Sequence, residues 1–183
     1  PMNRLLQGDV GSGKTVVAAL AIAMVARHQA QSALMAPTSI LAEQHYRNLI
    51  DYLASNHTED TPLAESEIRL LIGATPETQK QEIRAGLADG SIKLVIGTHA
   101  LLEDPIEFQS LQLVIIDEQH RFGVEQRAAL RAKGNNPHLL VMTATPIPRS
   151  LALTIYGDLD VSIIDEMPPG RQPVETYIVP PRE

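Results

Sequence analysis

A glycine-rich turn near the start of the chain combines a lysine and a threonine at a spacing suited to binding phosphate. The run Gly8-Asp9-Val10-Gly11-Ser12-Gly13-Lys14-Thr15 fits the pattern G-x4-G-K-[ST]. The glycines let the backbone curl so that successive N–H groups point inward at an anion. We expect Lys14 to reach the β- and γ-phosphates of a nucleotide and the hydroxyl of Thr15 to ligate Mg²⁺. The turn therefore predicts a binding site for ATP with Mg²⁺.

Two adjacent carboxylates form a second candidate site, directly after an apolar run at residues 113–116. Asp117 and Glu118 would lie at the carboxyl edge of a parallel sheet, where ligands bind in open α/β folds. We expect Asp117 to hold the magnesium shell and Glu118 to act as the general base toward the attacking water. An Asp-Glu pair is also common in ordinary turns, so this assignment depends on the phosphate loop being in the same sheet.

Hydroxyl groups follow another apolar run, at residues 139–142. Thr143 and Thr145 can hydrogen-bond the acidic cluster and transmit its state to the next helix, although Thr-Ala-Thr-Pro is equally typical of a plain strand-end turn. His120 could hydrogen-bond across to Thr143 or to a second lobe; a lone histidine is more often structural, and no acid–base role is assigned to it. No metal-ligand spacing joins His45, His99 and His138, so no zinc site is predicted.

The elements that must position these groups alternate along the chain. Short apolar runs predict strands near residues 4–7, 32–36, 68–72, 94–96, 113–116 and 139–142. Helices are predicted near 16–27, from an N-cap at Thr38 or Ser39 to about 53, from 76 to a stop at Gly90, and near 124–132 and 148–156. Residues 54–67 are polar and aperiodic, which indicates a loop. The alternation predicts an α/β fold with a parallel sheet and helices on both faces.

Composition limits the class of protein. The chain has 183 residues, 44% of them hydrophobic but only 3% aromatic, which predicts one domain with an aliphatic core. It has no cysteine, which excludes disulfides and fits a reducing cytoplasm. The longest apolar stretch, residues 16–26, is too short to span a bilayer, and the start does not resemble a signal peptide. We therefore expect a cytoplasmic protein that does not cross a membrane.

The net charge of −7 argues against binding nucleic acid by charge alone. Any DNA contact would have to be local, made by hydroxyls, backbone N–H groups and a few cations.

The order of the motifs resembles that of superfamily 2 helicases. The phosphate loop, Asp117-Glu118-Gln119-His120 and Thr143-Ala144-Thr145 resemble motifs I, II and III of that family. The resemblance implies a RecA-like P-loop NTPase fold with three layers, α/β/α. It also implies that four residues couple hydrolysis to movement: Gln119, His120, Thr143 and Thr145.

Two further loops resemble motifs Ia and Ib, which touch the DNA backbone in that family. They lie at residues 36–45 and 97–102. The resemblance implies DNA contacts at Thr38, Ser39, Thr98 and His99. Hydroxyls and free N–H groups at helix starts can bind phosphates without net positive charge.

Within the superfamily the chain resembles RecG-type branch-migration helicases. The resemblance rests on residues 7–15, 117–124, 143–149 and the tail from 156 to 171, and it covers nearly the whole chain. The transcription-repair coupling factor shares most of these residues, but it usually has a second Glu where Gln119 stands and lacks the run at 156–160. A primosomal helicase is a more distant alternative.

The resemblance implies a monomeric motor that remodels stalled forks and Holliday junctions, which are branched DNA, at the expense of ATP. We expect residues 1–166 to form its first motor lobe. Residues 167–183, with Pro168, Pro169 and Pro173, should form a linker and a first extended segment toward a second lobe. The wedge domain, the second lobe with its arginine fingers, and the upstream adenine-recognising residues would lie outside this sequence.

Two other classes of protein are alternatives for a chain with this phosphate loop. A GTPase would carry Asn-Lys-x-Asp and a nucleotide kinase an arginine-rich lid, and the sequence has neither. A nucleotide-dependent binding module with a decayed catalytic centre is the other alternative. The presence of Lys14, Thr15, Asp117 and Glu118 argues against decay.

Overall fold

A computed structural model describes residues 1–55, 61–103, 105–117, 124–145 and 159–166. The strands are β1 Asn3–Gly8, β2 Gln31–Met35, β3 Ile68–Leu71, β4 Leu94–Gly97, β5 Leu111–Asp117, β6 His138–Thr143 and β7 Asp160–Ile164. The α-helices are α1 Lys14–Arg27, α2 Ser39–Leu53, α3 Glu77–Asp89, α4 Ala100–Glu103 and α5 Val124–Ala132, with a 3-10 turn at Glu65–Glu67. None of the helices in these ranges is long and apolar enough to cross a membrane.

The described strands form one parallel sheet in the order β3-β4-β2-β5-β6-β1-β7. Its register aligns the ends of the strands that carry the predicted chemistry. Asp117 at the end of β5 pairs with Met142 on β6, and Thr143 at the end of β6 pairs with Gln7 on β1. The acidic strand end, the threonine turn and the phosphate loop therefore leave the same edge of the sheet on neighbouring strands.

Aliphatic side chains cover both faces of this sheet. Along β5, Val114 and Ile116 pack into the core cluster that includes residues of α3, α4 and α5. Leu113 and Ile115 point the other way, into the cluster that includes residues of α1 and α2. A strand buried on both faces is typical of parallel sheets between two helical layers. The predicted three-layer α/β fold is confirmed.

The local signals in the sequence were accurate at two helix ends. The hydroxyl of Thr38 accepts a hydrogen bond from the N–H of Leu41 at 3.3 Å and caps α2. Gly90 ends α3 in the left-handed conformation, with φ 81°. Strand β7 was not predicted, because its short apolar run is flanked by acidic residues. The predicted helix near 148–156 and the linker at 167–183 lie outside the described residues, so the domain division stays a prediction.

A buried amide holds the amino-terminal ends of the central strands together. Gln31 at the start of β2 is fully buried. Its Nε2 donates to the carbonyl oxygens of Leu87 and Ile92 at 2.9 and 2.8 Å, and its Oε1 accepts from the N–H of Ser110 at 2.8 Å. One side chain thus satisfies three backbone groups from the α3–β4 region and the start of β5.

Candidate nucleotide-binding site

The phosphate loop connects β1 to α1 and is closed by hydrogen bonds of its own. The N–H of Ser12 donates to the carbonyl of Asp9 at 3.1 Å, and the N–H of Val10 donates to the Asp9 carboxylate at 2.8 Å. Gly11 and Gly13 have φ values of 80° and 94°, a left-handed conformation that glycine adopts without steric cost. The glycines at these two positions are therefore required by the backbone path, as the motif predicts.

Gly8 is required for a different reason. A Cβ on Gly8 would lie 2.5 Å from Oγ of Ser12 and 3.2 Å from Cβ of Ile164 on β7. The loop thus folds back onto the end of its own strand and against the neighbouring strand. A Cβ on Gly13, by contrast, would meet no atom within 4 Å. The loop is closely packed at its base and open at the point where α1 begins.

Lys14, the first residue of α1, lies over the base of the loop. Its Nζ donates to the carbonyl oxygens of Gly8 and Asp9 at 2.7 and 2.8 Å. Oγ of Ser12 is buried and has no hydrogen-bond partner among the described residues. A buried hydroxyl without a partner is uncommon in proteins. A bound phosphate would supply the missing acceptor for Ser12, so the loop fits the anion that the motif predicts.

Asp117 at the end of β5 is paired with a residue that the sequence reasoning left without a role. Nε2 of His45 on α2 lies 2.5 Å from Oδ2 of Asp117, and both side chains are about nine-tenths buried. Since an ionised carboxylate only accepts hydrogen bonds, Nε2–H is the donor. The other ring nitrogen of His45, Nδ1, is buried without a partner among the described residues.

A cleft of about 530 Å³ opens between the phosphate loop and α2. It is lined by Lys14, Thr15 and the loop on one side, and by Asp117, Met142 and Ala144 at the strand ends. The face that α2 presents to it carries Leu41, Gln44, His45, Asn48 and Tyr52. These positions lie on one side of a helix, at spacings of three or four residues. These residues were not assigned to the site from the sequence. The helical spacing of the polar residues Gln44, His45 and Asn48 is the pattern that could have predicted it.

The predicted coupling residues are described only in part. Thr143 is buried, with 4% exposure, and its hydroxyl accepts a hydrogen bond from the N–H of Thr145 at 3.1 Å. Thr145 is exposed. The proposed general base Glu118, with Gln119 and His120, lies outside the described residues. Their roles stay predictions.

The two predicted DNA-contact loops leave adjacent strands. Met35 at the end of β2 pairs with Gly97 at the end of β4, and the N–H of Ala36 donates to the Gly97 carbonyl at 2.8 Å. Ser39 is exposed at the start of α2 and His99 at the start of the next loop. The structure therefore brings the two loops side by side at the sheet edge that also carries the phosphate loop.

The individual side chains in these loops differ in accessibility. Thr98 is buried, with 3% exposure, and its hydroxyl accepts from the N–H of Ala100 at 3.5 Å, at the start of α4. His99 lies 3.9 Å from the carboxylate of Glu103. A DNA contact at this turn would fall to His99 and the backbone rather than to the Thr98 hydroxyl. The predicted contacts stay predictions.

This combination of a phosphate loop after β1, an acidic end of β5 and an all-parallel sheet defines a P-loop nucleotide-binding domain. The family model of the DEAD/DEAH box helicases matches residues 2–154, and the chain belongs to that family. The predicted resemblance to RecG-type helicases is also confirmed. The chain is 55% identical over 183 residues to the ATP-dependent DNA helicase RecG of Synechocystis sp., and 57% identical over 180 residues to that of Thermotoga maritima.

A solved structure of RecG bound to a three-way DNA junction is similar as well. It matches with a TM-score of 0.76 at 54% sequence identity and covers 95% of this chain. The alignments to the two curated relatives cover 100% and 98% of this chain, but only 21% and 22% of the relatives' own length. The chain thus spans about a fifth of the length of these relatives.

Proposed function

We propose that this chain is the first motor lobe of an ATP-dependent DNA helicase that remodels branched DNA such as stalled forks and Holliday junctions. The observation that carries the proposal is the sharing of one sheet edge. The phosphate loop and Asp117 line the same cleft, and the two candidate DNA loops leave the neighbouring strands. The relatives named ATP-dependent DNA helicase RecG, and the RecG bound to a three-way junction, support the choice of branched DNA.

The phosphates of ATP are proposed to bind between the loop backbone and the start of α1. The N–H groups of Val16 and Val17 donate to the carbonyl of Gly13, which leaves those of Lys14 and Thr15 without a partner among the described residues. The helix dipole also favours an anion there. Lys14 would exchange its two carbonyl acceptors, on Gly8 and Asp9, for phosphate oxygens. Charge-assisted bonds of this kind are stronger than bonds to neutral carbonyls, so the exchange favours binding.

Thr15 and Asp117, which line the same cleft, are proposed to be the residues that would hold Mg²⁺. Both offer oxygen ligands, which this hard cation prefers, so the residues fit the ion. When bound, Mg²⁺ neutralises charge on the β- and γ-phosphates. Glu118, next to Asp117, is proposed to orient and deprotonate the attacking water. Gln119, His120, Thr143 and Thr145 are proposed to pass the state of this centre to the rest of the motor.

DNA is proposed to contact the exposed starts of the motif Ia and motif Ib helices. Thr38 and Ser39 stand at the start of α2, where free N–H groups can bind a phosphate. His99 offers a second contact beside them. Because the chain carries a net charge of −7, these contacts position the duplex without attracting it over a long range. A second lobe and a wedge domain of the same longer chain are proposed to supply the remaining contacts, in a monomer.

The test is the ATPase rate of a full-length protein that carries this lobe, measured with four-way junction, linear duplex and single-stranded DNA. We expect the junction to stimulate hydrolysis most, and Glu118→Gln to abolish it. Equal stimulation by linear duplex would favour the coupling-factor alternative. An ATPase that no DNA stimulates would contradict the motor assignment.

A further inference from the structure

One buried hydrogen bond connects α2 with the acidic end of β5. It joins Nε2 of His45 to Oδ2 of Asp117 at 2.5 Å, across 72 residues of sequence. From this bond we infer that His45 is a positioning residue: it fixes the Asp117 carboxylate for magnesium and links it to the DNA-contacting end of α2. The inference rests on the proposed function, in which Asp117 holds the metal.

A metal-binding carboxylate needs a second partner to fix its orientation. Carboxylates that bind metals are usually hydrogen-bonded by such partners. His45 occupies Oδ2 of Asp117, so Oδ1 would be the oxygen available to magnesium. Asp117 is buried, and His45 is the donor to its carboxylate among the described residues. Without His45 the buried carboxylate would lack this hydrogen bond, which is costly for a buried polar group. The imidazole thus holds the carboxylate in one direction.

A purely structural role for His45 fits the surroundings less well. A histidine that serves packing alone usually has both ring nitrogens satisfied, as buried polar groups do. Here Nδ1 is buried without a partner among the described residues. The ring also lies on the face of α2 that lines the nucleotide cleft, next to Gln44. The ring of His45 is therefore placed so that Nε2 bonds to Asp117, although this leaves Nδ1 without a partner among the described residues.

Helix α2 also connects the His45–Asp117 bond to the proposed DNA contact at its start. Ser39, at the exposed start of α2, precedes His45 by six residues, which is about 9 Å along a helix axis. Because the helix is rigid over that length, a shift of its first turn toward a DNA phosphate moves His45 as well. The Asp117 carboxylate would follow, so DNA binding would alter the magnesium site through this one contact.

The experiment compares His45→Gln with His45→Asn in the full-length protein. The amide nitrogen of Gln can reach the place of Nε2, whereas that of the shorter Asn cannot. We expect Asn to raise the Mg²⁺ concentration needed for half-maximal binding of a fluorescent ADP by about tenfold, a usual loss for a removed partner of a metal ligand. Gln should restore the wild-type requirement. Binding of ADP in EDTA should be equal in both variants, and His28→Ala, at the exposed end of α1, is the control.

Two results would overturn the inference: a wild-type magnesium requirement in His45→Asn, or equal impairment of the Gln and Asn variants at equal melting temperature.

The link between His45 and DNA is tested separately, by the stimulation of the ATPase with junction DNA. We expect His45→Asn to reduce the factor by which junction DNA stimulates the ATPase, and His45→Gln to retain it; an undiminished factor in His45→Asn would contradict the link to DNA. If the wild-type protein shows no stimulation by DNA, the proposed function fails, while the magnesium requirement still tests the role of His45.

Discussion

The ammonium nitrogen of Lys14 donates a hydrogen bond of 2.7 Å to the carbonyl oxygen of Gly8, the last residue of β1. A second bond, to the carbonyl of Asp9, is 2.8 Å long. The positive charge is therefore held at the base of the phosphate loop by neutral acceptors. Phosphate oxygens compete well for it, because hydrogen bonds between two charged groups are the stronger kind.

Replacing Lys14 with Ala should weaken nucleotide binding much more than it weakens the fold. Loss of a charge-assisted bond costs about 1.5–3 kcal/mol, which corresponds to a roughly 10- to 100-fold lower affinity for ADP at fixed magnesium. Isothermal titration calorimetry measures the affinity, and Lys80→Ala on α3 is the matched control. An unchanged affinity in Lys14→Ala would contradict the phosphate site.

Gly13→Ala should destabilise the loop through its backbone alone. A Cβ at Gly13 would meet no neighbour within 4 Å, but the residue has φ 94°. Forcing Ala into that conformation costs about 1–2 kcal/mol, and the melting temperature should fall by about 3–6 °C. Gly73→Ala is the control, since Gly73 also has open space around it but no left-handed φ. Equal melting temperatures of the two variants would show that the loop relaxes without cost.

Gln31→Leu should be the most damaging of these changes to stability. It leaves the Ile92 carbonyl and the Ser110 N–H without the bonds that Gln31 supplies, while the Leu87 carbonyl keeps a bond from the N–H of Gln109. Each unsatisfied buried group costs about 1–3 kcal/mol. We expect a loss of about 2 kcal/mol or more in the free energy of unfolding, measured by urea denaturation. The same substitution at the exposed Gln81 of α3 should change stability little. If Gln31→Leu lowered the free energy of unfolding no more than Gln81→Leu, the hydrogen bonds of Gln31 would not contribute to stability.

The 183-residue chain by itself should hydrolyse ATP very slowly. Arginine fingers supplied from another domain accelerate such reactions by about 10³-fold or more, and the second lobe is proposed to provide them. Phosphate release by the chain should stay near background with or without junction DNA. Strong DNA-stimulated hydrolysis by this chain alone would contradict the prediction.

A chain that ends at Glu166 should still bind nucleotide, because β7 remains beside the phosphate loop at Gly8 and Ile164. A chain that ends at Asp158 lacks β7 and leaves β1 with one neighbour. We expect the second truncation, and not the first, to lose affinity for ADP. Loss of binding in both would assign residues 167–183 a part in the site.

The sequence predicted what is encoded in contiguous residues and missed what depends on distant ones. The phosphate loop, Asp117 and the Thr38 cap were found because each signal lies within a few neighbouring residues. Helix α1 begins at Lys14, two residues before the predicted start, because the apolar pattern gives no sign of the helical turn that holds Lys14 and Thr15. The bond between His45 and Asp117 and the role of Gln31 depend on tertiary pairing, which no local pattern encodes.

The position of β1 in the sheet has a consequence for synthesis on the ribosome. The strand that carries the phosphate loop is translated before the other described strands, but its neighbours are β6 and β7, and Asn3 pairs with Leu139. At about 5–20 residues per second, the partner strand is translated roughly 7–27 s after β1. Until then the first strand has an unpaired edge, which makes the nascent chain prone to aggregation. The nucleotide site is therefore among the last parts of the lobe to form, and a ribosome-stalled chain that stops before His138 should not yet retain ADP.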